Sequence, residues 1–96
     1  MEKMKVIDYN LDADFSLGIL CGIYHSVKLR LSFLSDGIDI KTSDTFCIDG
    51  HNSLVFYFSS ARIEGEGFKI EIVCPSINPK DIKLSELIGT EIWKRK

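Results

Sequence analysis

Apolar and polar residues alternate along most of this chain. Val27, Leu29, Leu31 and Phe33 alternate with Lys28, Arg30 and Ser32. Successive side chains of an extended chain point to opposite faces, so this pattern predicts a half-buried strand. Phe68, Ile70, Ile72 and Cys74 alternate with Lys69, Glu71 and Val73 in the same way. Phe15, Leu17, Ile19, Cys21 and Ile23 form a third apolar row, with Ser16, Gly18, Leu20, Gly22 and Tyr24 opposite. Glycine and β-branched residues occupy the positions where a helix favours long side chains, so strands are predicted throughout.

From Leu54 to Ser60 both rows are apolar, with Leu54, Phe56 and Phe58 on one and Val55 and Tyr57 on the other. Such a strand is covered on both sides or shows one apolar face to a partner. Shorter strands are expected at Ile38-Asp39-Ile40 and Phe46-Cys47-Ile48, and another at Val6-Ile7-Asp8-Tyr9. Turns fall between them. Ser35-Asp36-Gly37, Asp49-Gly50 and Glu64-Gly65-Glu66-Gly67 each supply a glycine for the positive φ of a tight turn, and Tyr24-His25-Ser26 must turn without one. Near the end, Asn78-Pro79 resembles a helix start and Gly89 a stop, which predicts one short helix within 79–89. Thr90 to Arg95 alternates again and is expected to form a last strand. The pattern predicts a single mainly β domain over residues 1–96: an antiparallel meander, sandwich or small open barrel with one short C-terminal helix.

Composition narrows the functional classes. The chain has 96 residues, 45% hydrophobic and 27% charged, the balance of a folded domain. The longest uncharged run, Phe15 to Val27, is too short and too polar to span a bilayer, and no apolar signal segment follows the N-terminal lysines. A cytoplasmic protein without a membrane partner is therefore expected. Cys21, Cys47 and Cys74 are odd in number and far apart, each in an apolar run, so they are expected to be core thiols and not metal ligands or disulfides.

Net charge is −2 and unevenly spread. Residues 36–71 carry seven acids against three bases, whereas residues 80–96 carry five bases against three acids. A nucleic-acid binder needs a basic face, and the acidic middle argues against one. It suits a basic protein partner instead. No catalytic constellation accompanies it. His25 and His51 fall in predicted turns, and neighbouring strand residues such as His25 and Ser26 point apart. His51 with Asp49 and Asn52 matches no metal-ligand spacing, and Gly65-Glu66-Gly67 lacks the lysine and helix of a phosphate loop. Neither an enzyme nor a cofactor is expected.

The opening Asp14-Phe15-Ser16-Leu17, the row Val27-Lys28-Leu29-Arg30-Leu31, the stretch Phe56 to Ile63 and the closing Leu84-Ser85-Glu86-Leu87-Ile88-Gly89 give the chain a style that resembles small bacterial immunity proteins. These neutralise the toxin domains of contact-dependent growth inhibition and related systems. The resemblance extends over most of the chain in style and contains no diagnostic motif. It implies an antitoxin that binds and occludes a basic toxin domain, for instance a nuclease, and does no chemistry itself. The expected contacts are the loop residues Asp44, Asp49, His51, Glu64 and Glu66, with Tyr57 and Trp93 as aromatic anchors. Two alternatives stand beside it. One is a structural module that forms a homodimer or larger homo-oligomer through a sheet face around Leu20, Val55, Tyr57 and Val73. The other is a β domain that binds a small ligand inside a barrel.

Overall fold

The computed structural model describes residues 4–14, 26–37, 39–77 and 79–95. The expected strand at 15–23, the Tyr24-His25-Ser26 turn, Leu20 and Cys21 therefore lie outside the described residues, Ser26 apart.

Seven strands are described: β1 (Met4–Lys5), β2 (Asp8–Asp14), β3 (Ser26–Ser35), β4 (Thr45–Ile48), β5 (His51–Glu64), β6 (Gly67–Cys74) and β7 (Glu91–Lys94). The protein is mainly β, as its alternation predicts. All pairings are antiparallel, in one sheet of order β1-β7-β4-β5-β6-β3-β2. The two end strands of that order, β1 and β2, are consecutive in the chain. Val6 and Ile7 link them: Val6 N–H donates to the Thr90 carbonyl (2.9 Å) and Ile7 N–H to the Ser32 carbonyl (2.9 Å). Two adjacent residues thus tie to opposite sides of the sheet, which curls into a half-barrel. Among the architectures expected, the small open barrel describes it best.

The inner face forms the core. Leu29, Leu31 and Phe33 of β3, Ile70 and Ile72 of β6, Phe56 of β5 and Phe46 and Ile48 of β4 are almost completely buried. The rings of Phe33 and Phe46 meet at 5.7 Å with a tilt of 60°, a favourable edge-to-face-like geometry. Both strand rows that carry the clearest alternation, in β3 and β6, face this core.

Several expectations need correction. The strand expected at 6–9 begins only at Asp8, with Val6 and Ile7 between two strands, and Cys47, expected in the core, is only partly buried on the outward face of β4. Residues 79–89 contain no regular helix. They form two 3₁₀ turns, Pro79–Asp81 and Leu84–Glu86. The reason lies in the spacing of the buried residues Ile77, Ile82 and Leu87. Steps of five residues do not return to one face of a helix, where the repeat is three or four. Short turns instead deliver one side chain each into the core. The expected strand at 38–40 is also missing: Asp39 lies in a turn and Ile40 in irregular chain, while Ile38 is outside the described residues. Here the Asp44 carboxylate accepts the Lys41 N–H (2.7 Å), and Asp44 N–H returns to the Lys41 carbonyl (3.0 Å). That closed turn offers its backbone a local alternative to a ladder.

Strand β5 is longer than its sequence suggests. It runs 14 residues, against four in its neighbour β4. Its register against β4 shifts between Phe46 and Ile48, and against β6 it shifts between Phe58 and Ser60. Such bulges bend a strand and end regular pairing. Beyond Tyr57, β4 no longer accompanies it.

Candidate protein-binding surfaces

The structure divides the seven residues singled out in the sequence among separate places. Asp49 and His51 lie at the start of β5, and Glu64 and Glu66 lie at its end or in the next turn. Thirteen steps at ~3.3 Å put about 43 Å between those ends, nearly the 47 Å length of the molecule. The acidic loops therefore form no single patch.

Asp44 is committed to the fold. Its carboxylate binds the Lys41 N–H and sits 3.4 Å from Lys94 Nζ. Lys94 Nζ also donates to the Asp39 carbonyl. The Lys41 backbone N–H, opposed by some desolvation and helped by the Lys94 charge, holds the Asp44 carboxyl below its ordinary range.

Tyr57 and Trp93 do share a face. Tyr57 pairs with Thr45 and Trp93 with Cys47. Thr45 and Cys47 are two apart on β4, so all four point outward, away from the core. Tyr57 also pairs with Val73, and Val73 with Arg30. Tyr57 and Trp93 are both roughly half-exposed, while Val55, Val73 and Cys47 are partly covered. Beside them lies a polar cluster. Arg30 Nε is 2.9 Å from Asp12 Oδ2, an ion-pair distance without hydrogen-bond alignment. Its Nη1 reaches Glu71 Oε1 at 3.5 Å, which Ser59 Oγ also approaches at 3.4 Å.

Asp49 and His51 border an open groove of about 580 Å³ between the β4–β5 turn and residues 83–91. Lys83, Glu86 and Glu91 complete its charged lining, and Leu87 is its one large apolar residue. Asp49 N–H donates to the Glu91 carbonyl (3.0 Å) and fixes the turn against β7. The groove has the volume of a ligand site without the apolar walls usual for one. Thr90 is the one hydroxyl residue of the lining, and its Oγ1 donates to the Glu86 carbonyl (2.9 Å). Among the described residues, no three His, Cys, Asp or Glu side chains are grouped to hold a metal ion. Nor is any helix there long and apolar enough to cross a membrane.

The third place is the Glu64-Gly65-Glu66-Gly67 turn, which the sequence marks, together with its exposed flank, which it marks only indirectly. The β5–β6 hairpin closes through Gly65 and Glu66, with Glu64 opposite Gly67. Gly65 has φ +60°, the conformation a type II′ turn needs at its first central position. Every residue from Ser59 to Glu64 is exposed. Ile63, 80% accessible, is the most exposed large apolar side chain described. On that stretch β6 pairs one side, and among the described residues no strand pairs the other. One sequence signal does point here. The two-sided apolar pattern of 54–58 ends at Ser59-Ser60, while the alternation of β6 continues unbroken to Phe68.

Comparison with family models, with curated proteins and with solved structures finds no match.

Proposed function

We propose that this chain works as a protein-binding inhibitor of the immunity-protein kind, which occludes a basic toxin domain and catalyses nothing. The observation that carries the reading is the β5–β6 arm. It projects an exposed strand, an exposed isoleucine and two tip carboxylates, Glu64 and Glu66, past the end of β4. Carboxylates at a hairpin tip suit a cleft whose cationic groups normally meet phosphate, and Ile63 supplies adjacent apolar area. Asp49 and His51 are too distant to enter the same cleft, and Asp44 is held within its own loop. The acidic contact therefore narrows to the arm.

The test is capture of the toxin domain from the source cell, followed by titration calorimetry at low and high salt. Reversing Glu64 and Glu66 to lysine should weaken the complex, most strongly at low salt, where screening is least. Reversing Asp49 should leave it unchanged. If the Asp49 reversal weakens binding and the tip reversals do not, the arm is not the inhibitory element. A second reading, an assembly module, is favoured by the shared exposed face of Tyr57 and Trp93. Substituting both with serine distinguishes it, because that change would abolish association through this face and spare both toxin binding and association through any other surface.

A further inference from the structure

We infer that two copies of this chain pair antiparallel along the edge of β5 that no other described strand pairs, about a two-fold axis at Ile63. The inference goes beyond the inhibitor reading and does not depend on it. A strand edge presents unpaired amides and carbonyls, which are a template for another strand. Proteins usually shield such edges, and the other edges here are shielded. Edge strand β1 is two residues long, and edge strand β2 carries Asp8 and Asp12 along its length. The charges of the stretch 59–64, Arg62 and Glu64, have opposite sign, so unlike the aspartates of β2 they do not repel a second copy. The stretch contains no proline, no lysine and an outstanding apolar side chain.

The geometry selects the register. A two-residue loop closes on a hydrogen-bonded pair, here Glu64 with Gly67. Alternation then turns the amides and carbonyls of Ala61 and Ile63 toward the open side. An axis at Arg62 would set two arginines opposite each other, which is unfavourable. An axis at Ala61 would carry the ladder across the bulge at Ser59 in both copies, where regular pairing breaks. An axis at Ile63 avoids both faults. It sets Ile63 against Ile63 of the second copy and Arg62 of each copy against Glu64 of the other. Arg62 Nη2 already lies 3.9 Å from Glu64 Oε1 within one chain. The axis therefore generates an alternating square of two positive and two negative groups. The same patch is complementary to itself, as a two-fold interface requires.

The ladder is short, so the dimer forms at high protein concentration. Sedimentation equilibrium should be carried to roughly 1 mM, which reads association as weak as the millimolar range. Reversible dimer is expected, and Ile63→Lys should abolish it. Arg62→Glu alone, or Glu64→Arg alone, should weaken it roughly fivefold or more, since two symmetric cross-strand pairs are lost. The double swap Arg62→Glu with Glu64→Arg should restore it. Ile63→Cys should give a disulfide-linked dimer on mild oxidation, because facing Cα atoms about 5.5 Å apart suit a disulfide. Leu34→Cys, half-exposed on β3, should not. All these positions are exposed, and circular dichroism checks that each variant keeps its fold. Monomer throughout the range overturns the inference. So does a dimer that survives Ile63→Lys, or a double swap that fails to restore association.

Discussion

Phe46 and Phe68 look equivalent in the sequence, each heading a short alternating apolar row, yet the structure gives them very different weights. Phe46 on β4 is fully buried and packs its ring against Phe33. Phe68 on β6 is 37% accessible, with one side of its ring against Gly37, where a Cβ would lie 2.7 Å from it. Truncating a buried phenylalanine leaves a cavity that the surrounding sheet cannot fill, at a cost of about 3–5 kcal/mol. Some ~0.5–1.5 kcal/mol of that is the ring–ring contact. For Phe68 no enclosed cavity results, because the site opens to water. Complete burial of such a side chain is worth about 1.5–3 kcal/mol, and roughly two-thirds of that, about 1–2 kcal/mol, applies here. Total stability for a domain of this size is about 5–15 kcal/mol. Phe46→Ala therefore removes a large share of it and Phe68→Ala a small one. Urea unfolding followed by circular dichroism measures both, provided the slope m is unchanged. Losses equal to within about 0.5 kcal/mol, or a larger loss for Phe68→Ala, would refute the placement of the core.

Three further outcomes follow from individual groups. The fold holds the Asp44 carboxyl below its ordinary value of 3.8, so its stabilising contribution is complete above that pH and is lost as pH falls through the lowered value. Asp44→Asn should flatten this acid limb in urea midpoints taken from pH 5 to about pH 2, and an unchanged limb would assign it to other carboxylates. Burial raises the Cys74 thiol above its ordinary 9.0, so its contribution is present below pH 9.0 and declines as pH rises past it. Thiol labelling with peptide mapping should modify half-buried Cys47 well before Cys74, and equal rates would contradict that burial. Gly67→Ala should cost about 1–3 kcal/mol, because a Cβ there would lie 2.6 Å from the Ser35 carbonyl oxygen, a backbone atom. Gly50→Asn should be nearly neutral despite φ +82°, since nothing lies within 4 Å and asparagine accepts that conformation. Thermal melts that reverse the order of these two variants would sink the account of the β3–β6 contact.

What was legible in the sequence is the part governed by a local rule. Val27, Leu29, Leu31 and Phe33 had to share a face, and they do. Asp49-Gly50 and Gly65-Glu66 had to turn the chain, and both glycines adopt positive φ. What was not legible depends on distant partners. Nothing near Val6 and Ile7 announces that one ties to Thr90, just before β7, and the other to β3. Asn78-Pro79 and Gly89 have the marks of helix boundaries, but the five-residue spacing of Ile77, Ile82 and Leu87 decided otherwise. The acidic residues 44–66 are close in sequence, yet a 14-residue strand inside that stretch carries its ends far apart. Charge density along a chain predicts a surface patch only when the backbone between the charges folds back on itself.

The same strand length explains where the molecule keeps its open valences. The two end strands β1 and β2 are consecutive in the chain, so the sheet must curl to accommodate both, and the Val6-Ile7 link satisfies backbone groups on both flanks. A half-barrel arranged this way has little need of a partner at its nominal edges. Unequal strands defeat that economy at one point. Four residues of β4 cannot accompany fourteen of β5, and the bulges at 46–48 and 58–60 interrupt regular pairing along it. The surplus carries Ile63 on one face and the Arg62–Glu64 pair on the other. Stability does not call for that arrangement, since an exposed isoleucine on an edge that no described strand pairs stabilises nothing and invites association. The arm is therefore where binding is best sought, whether the strand that meets it belongs to a toxin or to a second copy of this chain.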